Sequence, residues 1–336
     1  MFSSDSMERH KKFFYLSLPL VLLYSGFDWE CELKPELAEV VISPETVPWA
    51  MWDTADLSIL REGNRLYGWI DANTGPGYEI GMLYSDDDGQ TWVDPYGKPL
   101  LSRELSWETV QIVSPHVLKR DGRYEMWYSG TSDGRLAVGY QIGLATSRDG
   151  LTWMRETSPV LPFGASGSED DFSVVDPCVR YEDGEYRMWY SGAEEVKGLP
   201  WFQVWEASSK DGLTWTDRKP IVSDWILSAA PEVIEHGGTR HLFYVTATSP
   251  GKAAFQELRY RSEGWLLGFG FSHWKGETLL SHEQLGPVAA HSLYSPCVDL
   301  APDGTGWLYL SAHDHLGVWR VVRMPMTLSR SWFGLF

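Results

Sequence analysis

Residues Ser173 to Trp215 read SVVDPCVRYEDGEYRMWYSGAEEVKGLPWFQVWEASSKDGLTW, and the fold is decided here. Val174–Tyr181 is an apolar, β-branched run that ends in Glu182-Asp183-Gly184, a hairpin-turn sequence. Tyr186–Tyr190 alternates aromatic and polar residues, the period of a strand whose two faces pack differently. Trp201–Ser208 is a third run, and Lys210-Asp211-Gly212 turns the chain over toward Trp215. Together these form an antiparallel meander of about 45 residues, which cannot bury both faces alone and requires copies of itself.

The copies are present. SPHVLKRDGRYEMWYSG, from Ser114, matches DPCVRYEDGEYRMWYSG, from Asp176, almost position for position. Weaker copies begin at Ala230 (APEVIEHGGTRHLFYVT), Ser295 (SPCVDLAPDGTGWLYLSA) and Thr54 (TADLSILREGNRLYGWIDA). A meander recurring every ~54 to 65 residues is the signature of propeller blades. The expected fold is all-β: a five-bladed β-propeller of four-stranded antiparallel blades.

The 336 residues are 43% hydrophobic, which suffices for a large core, and the repeat makes that length one propeller domain. The 18 Trp residues are expected mainly between blades. A net charge of −18 argues against nucleic acid and anionic membranes as partners. The sequence leaves the oligomeric state open. Cys31, Cys178 and Cys297 are odd in number and lack a C-x-x-C pair, so they read as free thiols with no zinc site. That pattern fits a reducing, cytoplasmic compartment.

Residues 13–24, FFYLSLPLVLLY, follow Arg9-His10-Lys11-Lys12 like the charged and apolar parts of an export signal. A structural reading competes, because LLYSGFDWECELKPELAEVVISP parallels the outer-strand segments of other repeats. Residues 1–46 are therefore read as an N-terminal segment that closes the ring or directs export. Residues 47–325 are read as the propeller and residues 326–336 as a C-terminal tail.

Three of the repeats turn their third strand through Ser-x-Asp-x-Gly-x-Thr-Trp or a near variant, beginning at Ser85, Ser147 and Ser209. This is the Asp-box pattern, whose Asp accepts backbone N–H groups while its Gly takes positive φ. Asp88, Asp149 and Asp211 are expected to serve stability. In an A-B-C-D meander those turns share a face with the A–B hairpins, which leaves the A-strand starts and B–C loops around the mouth. On that face the sequence places Trp52, Asp53, Asp56, Glu108, Ser114, His116, Asp170, Asp171, Asp176, Glu232 and His291. The B–C loops add Asp71, Asn73, Asp133, Glu194, Glu195 and His313-Asp314-His315. So many carboxylates are expensive around an apolar mouth unless they are used.

With x-D-P-x-V, M-W-Y-S-G and S-x-D-G-x-T-W, residues 47–325 resemble the five-bladed glycosidase clan of arabinanases and xylosidases, invertases and levansucrases, and mannoside phosphorylases. The resemblance implies a carbohydrate-active protein, glycoside hydrolase-like, with an oligosaccharide or other small glycoside at an acidic mouth. It further implies a blade-one Asp as base or nucleophile, a middle-blade Asp before Pro, and a Glu acid. Asp176 matches the middle-blade position, and Asp53 resembles the Trp-Asp of the levansucrase branch. The acid does not match: Val113, Val175, Ala229 and Tyr294 occupy its positions. Glu232 and His116 are the candidate substitutes. Trp52, Asp56, Glu108, Asp171, His291 and His313 are candidate substrate contacts. No cofactor or metal is expected, although parts of the clan carry a central Ca²⁺. The alternative is a degenerate propeller that binds a glycan or runs non-hydrolytic chemistry in the same pocket.

Overall fold

The computed structural model describes residues 26–135, 138–222, 227–247, 255–263 and 276–333. The export-signal stretch at 13–24 lies outside them. The chain divides into a large unit, residues 31–327, and a small one formed by its two ends. In the small unit the Arg330 guanidinium stands 4.7 Å over the Trp29 ring.

The large unit is a five-bladed β-propeller of antiparallel sheets. The innermost strands of blades one to five are Thr54–Glu62, Gln111–Arg120, Ser173–Glu182, Ser228–His236 and Ser292–Leu300. Second strands follow at Arg65–Asn73, Arg123–Thr131, Glu185–Val196, Thr239–Thr246 and Thr305–His313. Blade one lacks a regular fourth strand and keeps two isolated bridges, Ile80 to Leu101 and Tyr84 to Val93. Glu39–Ile42 pairs antiparallel with the third strand of blade five, so a segment from before blade one completes the last blade. The stretch from 326 that reads as a tail continues that third strand, Trp319–Phe333.

The tight hairpins follow from local chemistry. Glu182 pairs with Glu185 across Asp183-Gly184, whose φ values of 52° and 81° suit a type I′ turn. Asp121-Gly122 repeats this in blade two. Between blades, aromatic rings fill the gaps: Trp127 of blade two meets Tyr186 of blade three edge-on at 5.5 Å and gives its Nε1–H to Gly212 O. The Asp box of one blade is thereby keyed into the core of its neighbour.

The boxes also correct one expectation. Asp149 accepts the N–H groups of Leu151 and Thr152, and Asp211 those of Leu213 and Thr214. In blade one that role falls to Asp87, which accepts Thr91 N at 2.8 Å. Asp88 is the inserted residue: it sits at φ 61° and takes Arg61 and the Trp307 indole instead.

Every innermost strand carries the same irregularity. Pairing slips between Ala55 and Ser58, Val113 and His116, Val175 and Cys178, Ala229 and Glu232, and Tyr294 and Cys297. The bulged residues Asp56, Ser114, Asp176, Ala230 and Ser295 all have positive φ, from 43° to 57°. Each such non-glycine residue costs about 1–2 kcal/mol. In four of the five a proline follows, which disfavours the right-handed helical region for the residue before it. In blades one to three the bulge aims a side chain, Asp56, Ser114 and Asp176, at the mouth.

Candidate functional site

The five bulges form a ring that reads Asp56, Ser114, Asp176, Ala230, Ser295. Most of their N–H groups are caught by one position on the second strand of the preceding blade. Ser311 Oγ takes Asp56 N at 2.9 Å, Ser129 Oγ takes Asp176 N at 3.1 Å, and Ser191 Oγ takes Ala230 N at 2.8 Å. Blade one places Asp71 at this position, and Asp71 Oδ2 accepts Ser114 N at 2.8 Å. A scaffold hydroxyl has become a carboxyl.

Three buried carboxyls, Asp56, Asp71 and Asp176, therefore crowd around Ser114. The Ser114 hydroxyl lies 2.8 Å from Asp56 Oδ2 and 2.9 Å from Asp176 Oδ1. A hydroxyl carries one proton, so it donates to only one of these oxygens, and the other contact requires a protonated carboxyl. Asp71 Oδ1 meets no N–H or O–H donor. Its neighbour is the Asp56 carboxyl, and two carboxyls bond only by sharing a proton.

The electrostatics agree. Burial, then the Asp176 charge, lifts Asp56 to about 6. Burial, then the Asp56 charge, lifts Asp71 well above the carboxylate range. Burial also raises Asp176, against the hydroxyls of Tyr294, Ser191 and Ser114 that donate to it. Tyr294 and Ser191 reach Asp176 Oδ2 at 2.6 and 2.7 Å. Asp176 is thus the carboxyl best prepared to be an anion, while Asp56 and Asp71 form a proton-holding pair.

These groups open into a cavity of about 540 Å³. Its wall is aromatic: Tyr78, Tyr140, Phe202, Phe255, Tyr294 and Trp319 line it, with Gln111 and His313 among the polar exceptions. His313 stacks on Trp319 at 4.8 Å with the rings 14° apart. Flat apolar walls with a few convergent polar groups suit the faces and hydroxyls of a sugar.

The sequence candidates fall in three places. Asp56, Asp71, Ser114, Asp176 and His313 line the mouth. His116 and Glu232 border a narrower part of the axis, together with Asp176. The remainder stand outside both linings. Asp53 braces the wall by accepting Tyr78 OH at 2.8 Å and Trp319 N at 2.9 Å. Glu108 is fully buried and accepts Tyr128 OH and Arg155, a blade-internal brace. Asp171 accepts Gly167 N within its own loop, at 2.6 Å. Trp52 is 57% exposed, and His291 packs against His313. In the His313-Asp314-His315 loop, Asp314 is engaged by Arg320.

No family model matches the chain. It is 33% identical over 141 residues to an uncharacterised protein of Mycobacterium tuberculosis, covering 39% of this chain and 44% of that one. It is 32% identical over 158 residues to an A type blood N-acetyl-alpha-D-galactosamine deacetylase of Flavonifractor plautii, 43% of this chain and 19% of that one. To a 1,2-beta-oligomannan phosphorylase of a Thermoanaerobacter species it is 31% identical over 125 residues, 37% and 36% of the two chains. The matches span less than half the length of these curated relatives. Among solved structures, an exo-1,5-alpha-L-arabinanase from a bovine ruminal metagenomic library superposes with TM-score 0.63 at 16% identity, covering 84% of this chain and 97% of that one. The native Bacillus subtilis arabinanase Arb43A superposes with TM-score 0.61 at 17% identity, covering 83% and 94%. The fold is that of the five-bladed arabinanase propellers.

Proposed function

We propose that this propeller is a carbohydrate-active enzyme that cleaves a glycosidic bond at its mouth. Asp71, paired with Asp56, supplies the proton. The observation that carries this reading is the Asp71 carboxyl, buried, facing Asp56 without an N–H or O–H donor on Oδ1, and lining the aromatic cavity. Glycoside cleavage needs one protonated carboxyl for the leaving oxygen and one carboxylate for the positive charge that develops on the sugar. The Asp56–Asp71 pair fits the first role. Asp176, gripped by three hydroxyls, fits the second. The Glu that the resemblance calls for is replaced by an Asp on the adjacent strand of blade one.

Phosphorolysis, the reaction named for one relative, fits less well. Among the described residues that line the mouth there is no Lys or Arg to hold phosphate. A glycan-binding propeller without turnover is the second reading, favoured by the saturation of Asp176 with hydroxyl donors.

A panel of aryl arabinosides, xylosides and mannosides, with matching oligosaccharides, tests the proposal. Hydrolysis by the wild type that falls at least ~10²-fold in Asp71→Asn, with sugar affinity retained, supports it. Undiminished hydrolysis in Asp71→Asn overturns the assignment of the acid. Binding without hydrolysis of any member favours the second reading.

A further inference from the structure

One step below the mouth ring, each innermost strand presents a second set of side chains, two residues after the bulge: Ser58, His116, Cys178, Glu232 and Cys297. Ser58, His116, Glu232 and Cys297 line a narrow cavity of about 40 Å³ walled by the bulge prolines, and Cys178 stands beside it, its Sγ 3.5 Å from Glu232 Oε2. Four of the five, His116, Cys178, Glu232 and Cys297, are metal-ligand types, each from a different blade. One donor atom each of His116, Cys178 and Glu232 lies within 4.8 Å of the others. The geometry points to a structural site for a thiophilic divalent cation of the Zn²⁺ class on the propeller axis, held by His116, Cys178 and Glu232.

The donor set selects the ion. Imidazole, thiolate and a single carboxylate suit Zn²⁺ or Co²⁺, whereas Ca²⁺ requires six to eight oxygens. Charge favours the same ion. Binding displaces one proton from the Cys178 thiol and one from the Glu232 carboxyl to solvent, and the two anions then balance a divalent cation. That neutrality matters, because a lone anion is costly beside the buried Cys178 side chain.

The surroundings are arranged as metal sites arrange them. His116 Nε2 lies 3.0 Å from the Val179 carbonyl, which fixes the Nε2–H tautomer and leaves the lone pair on Nδ1. Val233 N donates to Cys178 Sγ at 3.3 Å, a bond that a thiolate accepts better than a thiol. Val298 N donates to Glu232 Oε1 at 3.4 Å, while Oε2 lies 3.5 Å from Cys178 Sγ. With Zn–S near ~2.3 Å and Zn–N near ~2.0 Å, the donors need only draw in to within about 4 Å of one another. Cys297, at the same place on blade five, lines the same cavity.

The test uses the full chain, stripped of metal with a chelator and titrated with Co²⁺. One equivalent is expected to give a near-ultraviolet thiolate-to-cobalt charge-transfer band that Zn²⁺ bleaches, with a higher Tm. Cys178→Ser should abolish the band, His116→Ala should weaken Co²⁺ affinity by at least ~10-fold, and Cys31→Ser should change neither. No band in the wild type at saturating Co²⁺ overturns the proposal, and that result requires no variant to fold. A band that survives Cys178→Ser overturns it equally. Glycosidase activity enters none of these readouts, so the result stands apart from the fate of the Asp71 assignment.

Discussion

The backbone N–H of Ser114 donates to Asp71 Oδ2 at 2.8 Å, at a position where blades two, three and five use a serine hydroxyl and blade four has Val245. One bond serves two ends. It secures the bulge of blade two, and it holds a carboxyl against Asp56 at the mouth. Asp71→Ser, which restores the residue of the other repeats, is therefore expected to keep the fold and the Ser114 bond while abolishing turnover. Circular dichroism together with glycosidase rates checks this; a folded Asp71→Ser protein with wild-type kcat contradicts it.

Stability should depend on pH through the same residue. The Asp71 and Asp56 carboxyls are raised in the folded state, Asp56 from 3.8 to about 6. Groups shifted upward contribute most below their unfolded pKa, and that contribution is lost as pH rises through the folded value. Asp71→Asn removes one such group and keeps an acceptor for Ser114 N. Its Tm relative to the wild type should therefore climb between pH 4 and pH 8, and a difference independent of pH would show that Asp71 is ionised in the native protein.

His116 should act in the opposite direction. Burial lowers its imidazole to about 4, from 6.5. The unfolded chain then takes up a proton that the folded chain refuses, and stability is lost as pH falls from 6.5 toward 4. A His116→Gln variant should lose less Tm than the wild type over that interval. Equal losses would place a protonated imidazole on the axis.

Asp176→Asn keeps the shape of the side chain and removes its charge. The hydroxyls of Ser114, Ser191 and Tyr294 then face an amide, and turnover should fall at least ~10²-fold. The Asp71→Asn, Asp176→Asn double variant should be little worse than either single, because the groups act together. Multiplicative losses in a double-mutant cycle would separate their roles.

The Asp boxes give a stability comparison. Asp87→Ala, Asp149→Ala and Asp211→Ala each remove the acceptor of a turn N–H and should lower Tm with kcat and KM unchanged. Asp88→Ala breaks only a surface pair with Arg61 and an indole bond, so thermal melts should rank it mildest. A larger loss in Asp88→Ala than in Asp87→Ala would reverse the assignment of the box acceptor.

The residues alone specify the repeats, the hairpins and therefore the propeller. Asp183-Gly184 dictates its turn whatever surrounds it, and the Trp127-Tyr128-Ser129-Gly130 run declares its strand by period. The special status of Asp71 was also present in the sequence, since Trp69-Ile70-Asp71-Ala72 aligns with Trp127-Tyr128-Ser129-Gly130 and differs in the third residue. It becomes visible only when the repeats are compared at the second strand, away from the x-P-x-V motif. What the tertiary structure alone decided is which carboxyls meet. A bulge at every innermost strand breaks the simple alternation from which Glu232 would be aimed at the mouth, and Glu232 enters the narrow channel with His116 and Cys178 instead. Those three residues lie a full blade apart in sequence, so no local spacing announces them. Only closure of the ring, which places equivalent positions of successive blades side by side around one axis, brings their donor atoms together.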